Sequence, residues 1–190
     1  MYIAFEGIDG VGKTTQIELL KDCLKNKNID AVFTKEPGGI DIGIRDIVLN
    51  KRLCVKSQTL LFLSDRAEHY ERVIKDNKDK MIVTDRSYVS GIAYAMKWFD
   101  FDFLRDINAF CMDGYGLDKV IFLEADENTI KNRFNNKKLD EIEKRGIEYF
   151  IQTQNNILKT LNLLNIDYIK INASDEINSI HNLIVDFVLS

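Results

Sequence analysis

Residues 7–15 read Gly7-Ile8-Asp9-Gly10-Val11-Gly12-Lys13-Thr14-Thr15, and no other stretch restricts the fold so narrowly. The spacing G-x-x-x-x-G-K-[ST] is that of a loop whose backbone N–H groups turn inward onto an anion. Its flanks agree. Tyr2-Ile3-Ala4-Phe5 is an apolar run suited to a buried strand, and Ile17, Leu20 and Leu24 recur at helical spacing behind the loop. Strand, glycine loop and helix in that order put a helix N-terminus against the bound anion. Lys13 then reaches the outer phosphates, and Thr14 offers a hydroxyl to Mg2+. A glycine-rich turn carrying Lys-Thr by chance would lack these flanks. The segment predicts a nucleoside triphosphate site made by Gly7, Ile8, Asp9, Gly10, Val11, Gly12, Lys13, Thr14 and Thr15.

The rest of the chain supplies the fold that such a loop needs. Further β-type runs at 31–34, 81–84, 120–123 and 168–171 join the first at 2–6, several of them apolar on both faces. Helical patterns lie between them at about 14–27, 42–49, 57–78, 87–97, 101–112, 127–163 (broken at the polar stretch Asn135-Asn136-Lys137-Lys138) and 175–189. This alternation predicts an α/β fold: a five-stranded parallel sheet between two helix layers, with ligands at the carboxyl ends of the strands. At 190 residues with no repeat or linker, one domain over 1–190 is expected. The net charge of −4 argues against a surface that coats nucleic acid, so a bound anion must be held by a local pocket. No run approaches the length of a membrane span. With a strand expected from the first residues there is no room for a leader, and a cytoplasmic location is expected. Cys23, Cys54 and Cys111 are an odd count without metal spacing, and Cys23 reads as a small core residue.

Each of the first three strands is followed by something informative: the phosphate loop, then Lys35-Glu36-Pro37-Gly38-Gly39 with Arg45 beyond, then Asp85-Arg86-Ser87. Asp85, directly after an apolar strand, reads either as a carboxylate that organises Mg2+ and water or as a helix N-cap. Arg86 beside it suits a bidentate grip on a second phosphate. Phe62 and Arg66 share a helix face, where a ring and a guanidinium can stack on a base and bond its edge. The plainer alternative makes Phe62 core and Arg66 a solvated charge.

The segments Phe5–Gln16, Glu36–Gly39, Leu61–Ala67 and Asp85–Tyr94 together resemble the thymidylate kinase family, in its order and spacing. The resemblance runs to about residue 150. It implies transfer of the γ-phosphoryl group of ATP to dTMP, with Mg2+, giving dTDP and ADP for DNA synthesis. It implies that Phe62 stacks on thymine, that Arg66 and Ser90 meet the base edge, and that Tyr94 lies against the deoxyribose. Arg45 and Arg86 would clamp the dTMP phosphate, Asp9 would face the sugar 3′-hydroxyl and the metal region, and Glu36 would shape the acceptor site. Lys13, Asp85 and Arg86 would be the catalytic groups, with Thr14 and Asp85 near the metal. A homodimer is implied by the resemblance alone.

The chain departs from relatives in three places. Gly10 stands where some carry an arginine in the loop. The others draw arginines from a lid, here at about 133–145, which has lysines and asparagines where several relatives have more arginines: Arg133 would lie over adenine, Lys137 or Lys138 would either approach the phosphates or form a solvated break between helices, and Arg145 closes the segment. Lys35 replaces an arginine before Glu-Pro-Gly. The alternatives are another phosphate-loop kinase with a nucleoside acceptor, or a nucleotide-binding module without catalysis. The chain has no Asn-Lys-x-Asp guanine motif, which a GTPase would carry.

Overall fold

The computed structural model describes residues 1–38, 44, 47–48, 53–134 and 146–190. The roles read for Arg45, Lys137, Lys138 and Arg145, for the side chain of Arg133, for most of the helix expected at 42–49 and for nearly all of the lid lie outside the described residues.

All five expected strands form: β1 Tyr2–Glu6, β2 Ala31–Lys35, β3 Met81–Asp85, β4 Lys119–Glu124 and β5 Asp167–Asn172. Four of them run one or more residues beyond the apolar stretch, since backbone pairing does not stop where apolar side chains do. The sheet is wholly parallel, in the order β2-β3-β1-β4-β5. The first strand is therefore central, and its carboxyl end opens where neighbouring connections diverge, the usual ligand site of such sheets.

The period-two alternation of β1 builds two cores. Ile3 and Phe5 join Val83, Ile121 and Leu123 on one face, under helices α1 (Lys13–Asn26) and, at the C-terminus, Ile177–Leu189. Tyr2 and Ala4 join Ile82, Val120 and Phe122 on the other. That second face is covered by α2 (Val55–His69) with its continuation, α3 (Tyr88–Ala95), α4 (Phe101–Cys111) and the helix Ile147–Leu164. Counting the short α5 (Glu127–Phe134), the last two become α6 (Ile147–Leu164) and α7 (Ile177–Leu189). The three-layer α/β/α arrangement expected from the alternation is what forms.

Three local readings are corrected. The helix expected over 57–78 starts at Val55 and ends as α-helix at His69, widening into a π turn at Tyr70–Ile74 and a 3-10 turn at Lys75–Asn77. Tyr70 and Ile74 are both buried by that widening. Cys23 is only half-buried, since the packed stripe of α1 is Gln16, Ile17, Leu20 and Leu24; Cys111 is the buried cysteine. The cap of α3 is Ser87, whose hydroxyl accepts from the Val89 N–H, so Asp85 is not an N-cap.

Candidate active site

Where β1 ends, the chain turns so tightly that only glycine fits. Gly7 has φ +142°, and a Cβ there would lie 2.5 Å from the Leu123 carbonyl oxygen of β4. Gly12, at φ +98°, swings the loop into α1. Between them Ile8 and Val11 are buried in the first core and pin the loop to it. The first turn of α1 holds no acidic residue of its own to offset its positive end. Lys13 bends back, its ammonium donating to the carbonyls of Gly7 (3.1 Å) and Ile8 (3.0 Å). Burial first, then the like charge of Arg86, lower its pKa to about 8.

A cavity of about 650 Å³ opens over this loop. Asp9, Gly10, Gly12, Lys13, Thr14 and Thr15 line it from β1 and α1, Lys35, Glu36 and Pro37 from β2, and Asp85 and Arg86 from β3; Ile44 and Asp65 complete it. Thus the strand ends converge as the sequence predicts. Asp85 Oδ1 is buried without a hydrogen-bond partner among the described residues. A buried orphan carboxylate oxygen in the cavity that the exposed Thr14 also lines is a fitting place for a hard cation that also takes phosphate oxygens and water. Among the described residues no cluster of three or more acidic, His or Cys side chains could hold a metal ion.

Arg86 adopts φ +70°, unusual for a residue with a side chain, and its backbone is held by the Phe5 carbonyl. Its guanidinium donates to Asp9 Oδ1 at 2.7 Å and Ser90 Oγ at 3.1 Å, and lies 5.9 Å from the centre of the Tyr94 ring. Asp9, Arg86, Ser90 and Tyr94 are therefore one cluster. The Ser90 hydroxyl gives its hydrogen to Glu6 and accepts from Arg86, so it seats the guanidinium.

Arg66 is not a solvated charge. Its side chain is 5% exposed, with Nε and Nη2 donating to Glu36 Oε2 (2.9 and 2.6 Å) and Nη1 to Asn108 Oδ1 (2.5 Å). A long contact from Nη2 to the Ser87 carbonyl leaves one of five N–H groups for a ligand. Burial would push the Glu36 carboxyl up, but the Arg66 guanidinium overcomes that, helped by His69, and holds it below the usual range. The guanidinium also lies against Gly91, where a Cβ would come within 3.0 Å of Nη2. Phe62, one turn before Arg66, is half-buried, belongs to none of the apolar clusters and does not line the cavity.

Sequence reasoning missed Glu6, Asp65, Gly91 and Asn108. Glu6 carried a signal, as a carboxylate ending an otherwise apolar strand. Asp65 accepts from the Gly38 N–H at 2.8 Å, tying α2 to the loop after β2. Nothing local in the sequence marks Asn108, whose role depends on α4 packing beside α2.

A phosphate loop at the head of a parallel sheet, with the Lys13 ammonium and the Arg86 guanidinium lining the same cavity, marks a P-loop nucleotide-binding fold. The comparisons narrow the class. The chain belongs to the thymidylate kinase family, whose model, described as "Thymidylate kinase", matches residues 5–184. It is similar to the thymidylate kinase of Campylobacter jejuni subsp. doylei, at 45% identity over 99% of this chain and 100% of that protein. The thymidylate kinase of Nautilia profundicola is 47% identical over 95% of this chain and 93% of its own length. Among solved structures, thymidylate kinase from Ehrlichia chaffeensis superposes with a TM-score of 0.78 at 25% identity, covering 100% of this chain and 98% of that one.

Proposed function

We propose that the chain transfers the γ-phosphoryl group of ATP, bound with Mg2+, to dTMP, releasing ADP and dTDP. Beyond family membership, the observation that carries this reading is Arg86. It is paired to Asp9, stacked toward Tyr94 and presented to the same cavity as Lys13. That arrangement suits an acceptor that already bears a phosphate.

A phosphate oxygen is a competent nucleophile, so no general base is required, and catalysis rests on alignment and charge neutralisation. The loop N–H groups and the positive end of α1 hold the donor phosphates. Lys13 moves from the loop carbonyls to the β and γ oxygens, and with Arg86 offsets charge on the group in transfer. Thr14 and Asp85 are the residues to hold Mg2+, whose contribution is to screen phosphate charge and fix its geometry. Asp9 orients Arg86 and faces the acceptor sugar, Glu36 fixes Arg66 for the thymine edge, and Tyr94 walls the deoxyribose. Phe62 supplies the stacking face, so Phe62→Ala raises KM for dTMP by about tenfold, the scale of one lost base–aromatic stack, and leaves KM for ATP in place. Equal effects on both constants would return Phe62 to the core. Arg45, Arg133 and the segment 133–145 are proposed to complete the grip on the two nucleotides.

Lys13 also sets a pH dependence. The nucleotide-free ammonium loses its proton above about 8, whereas polyphosphate favours the charged form. ATP binding then takes up a proton, so KM for ATP rises with pH, approaching about tenfold per unit above 8. A flat profile between pH 7 and 9.5 would contradict this.

No helix among the described residues is long and apolar enough to cross a membrane. A cytoplasmic location and a single domain are part of the proposal. So is a homodimer, supported by the exposed Phe103 and Phe110, which are seven residues apart on one side of α4. Sedimentation equilibrium checks that association. The activity is tested by offering dTMP, dUMP, thymidine and AMP with ATP and Mg2+ and following ADP. The reading requires dTMP to be fastest, with thymidine and AMP near background. Thymidine outpacing dTMP would make the chain a nucleoside kinase.

A further inference from the structure

Glu6 is fully buried at the end of β1, and among the described residues no ion pair touches it. A lone buried carboxylate is expensive unless donors surround it. Among the described residues its donors all come from one short segment: the Ser87 hydroxyl at 2.7 Å and the Ser90 N–H at 3.3 Å on Oε1, and the Ser90 hydroxyl on Oε2. That segment directly follows Arg86. A carboxylate can only accept, so both serine hydroxyls must turn their hydrogens toward it. The Ser90 oxygen is then left with lone pairs facing away, and Arg86 Nη1 donates into them at 3.1 Å. Burial pushes the Glu6 carboxyl up, and the two serine hydrogen bonds, then the nearby charges of Arg86 and Lys13, oppose that push.

We propose that Glu6 is a positioning residue for the acceptor phosphate, fixing the Arg86 guanidinium through the orientation of the Ser90 hydroxyl. The proposal rests on the reading of Arg86 as the dTMP-phosphate clamp. In Glu6→Gln the shape is kept, but the amide presents N–H groups where only an acceptor served. The Ser90 hydrogen is then free to turn toward Arg86, and the guanidinium loses its seat.

The test is steady-state kinetics on the full chain, varying dTMP and MgATP separately, for Glu6→Gln, Ser90→Ala, the double variant and Arg86→Ala. Glu6→Gln should raise KM for dTMP about tenfold, the weight of one charge-assisted hydrogen bond, with KM for ATP moved less than about twofold. Ser90→Ala should do the same, and the double variant should be no worse than either single change, because both cut one link. A purely structural role for Glu6 would lower the active fraction and melting temperature while leaving both KM values alone, and that result overturns the proposal. So does additivity in the double variant. If Glu6→Gln fails to fold, Ser90→Ala decides: an unmoved KM for dTMP overturns the link. A KM for dTMP unmoved by Arg86→Ala overturns the clamp and this proposal with it. A raised one beside an unmoved Glu6→Gln overturns the proposal alone.

Discussion

Replacing Lys13 with alanine lowers kcat for dTMP phosphorylation by about 10²–10³-fold, the usual loss when a preorganised charge is removed from a developing anion. The side chain is buried and its charged form is disfavoured there, as the pKa of about 8 shows. An ammonium kept in so unfavourable a place does little for the fold in the absence of nucleotide. The variant should therefore melt within about 4 °C of the parent, which for a chain of this size is about 1–2 kcal/mol. Kinetics and a thermal scan on one preparation check both halves. A large fall in melting temperature with kcat preserved per folded molecule would make Lys13 a structural strut for Gly7 and Ile8.

Arg66→Met has the opposite signature, large in stability as well as in substrate binding. It leaves the Glu36 carboxylate, 5% exposed, facing only His69 Nδ1 at 3.6 Å. Breaking a buried pair from one side costs about 3–5 kcal/mol, or roughly 6–20 °C of melting temperature at this length. The sign of the pH effect follows from Glu36. With Arg66 present the carboxyl is held below its usual range, so the pair stabilises the fold above that range and the benefit is lost as pH falls. Without Arg66 only burial acts strongly, the carboxyl rises, and acid should relieve the defect. Adding Glu36→Gln to Arg66→Met should recover part of the loss. Urea unfolding of the three variants at pH 5 and pH 8 measures this. A loss under about 1 kcal/mol, unchanged with pH, would mean that the pair behaves as a screened surface bridge.

The fold was legible because its determinants are local. Apolar strands alternate with helix-period segments, and a parallel order follows from that alternation. The phosphate loop was legible because its chemistry lies within nine consecutive residues. Asp85 and Arg86 stood out at the end of the strand before them, and the N-cap reading of Asp85 gave way because Ser87 caps α3. The acceptor side was less legible, since its contacts join distant elements. Arg66 was expected to be solvated or base-facing; the burial and the Glu36 and Asn108 bonds depend on α2, α4 and the end of β2 meeting. The bond from Ser90 to Glu6 joins residues 84 positions apart, which no local pattern marks. No local pattern marks Gly91 as the residue against which the Arg66 guanidinium lies. Side-chain periodicity carries no record of such pairings.

The central claim is transfer between two nucleotides, and it is most directly tested by following the γ-phosphoryl group itself. With γ-labelled ATP, Mg2+ and dTMP, the label should appear in dTDP in step with ADP, and no ADP should form without dTMP. Label released as inorganic phosphate, or ADP formed at the same rate without dTMP, would contradict the account.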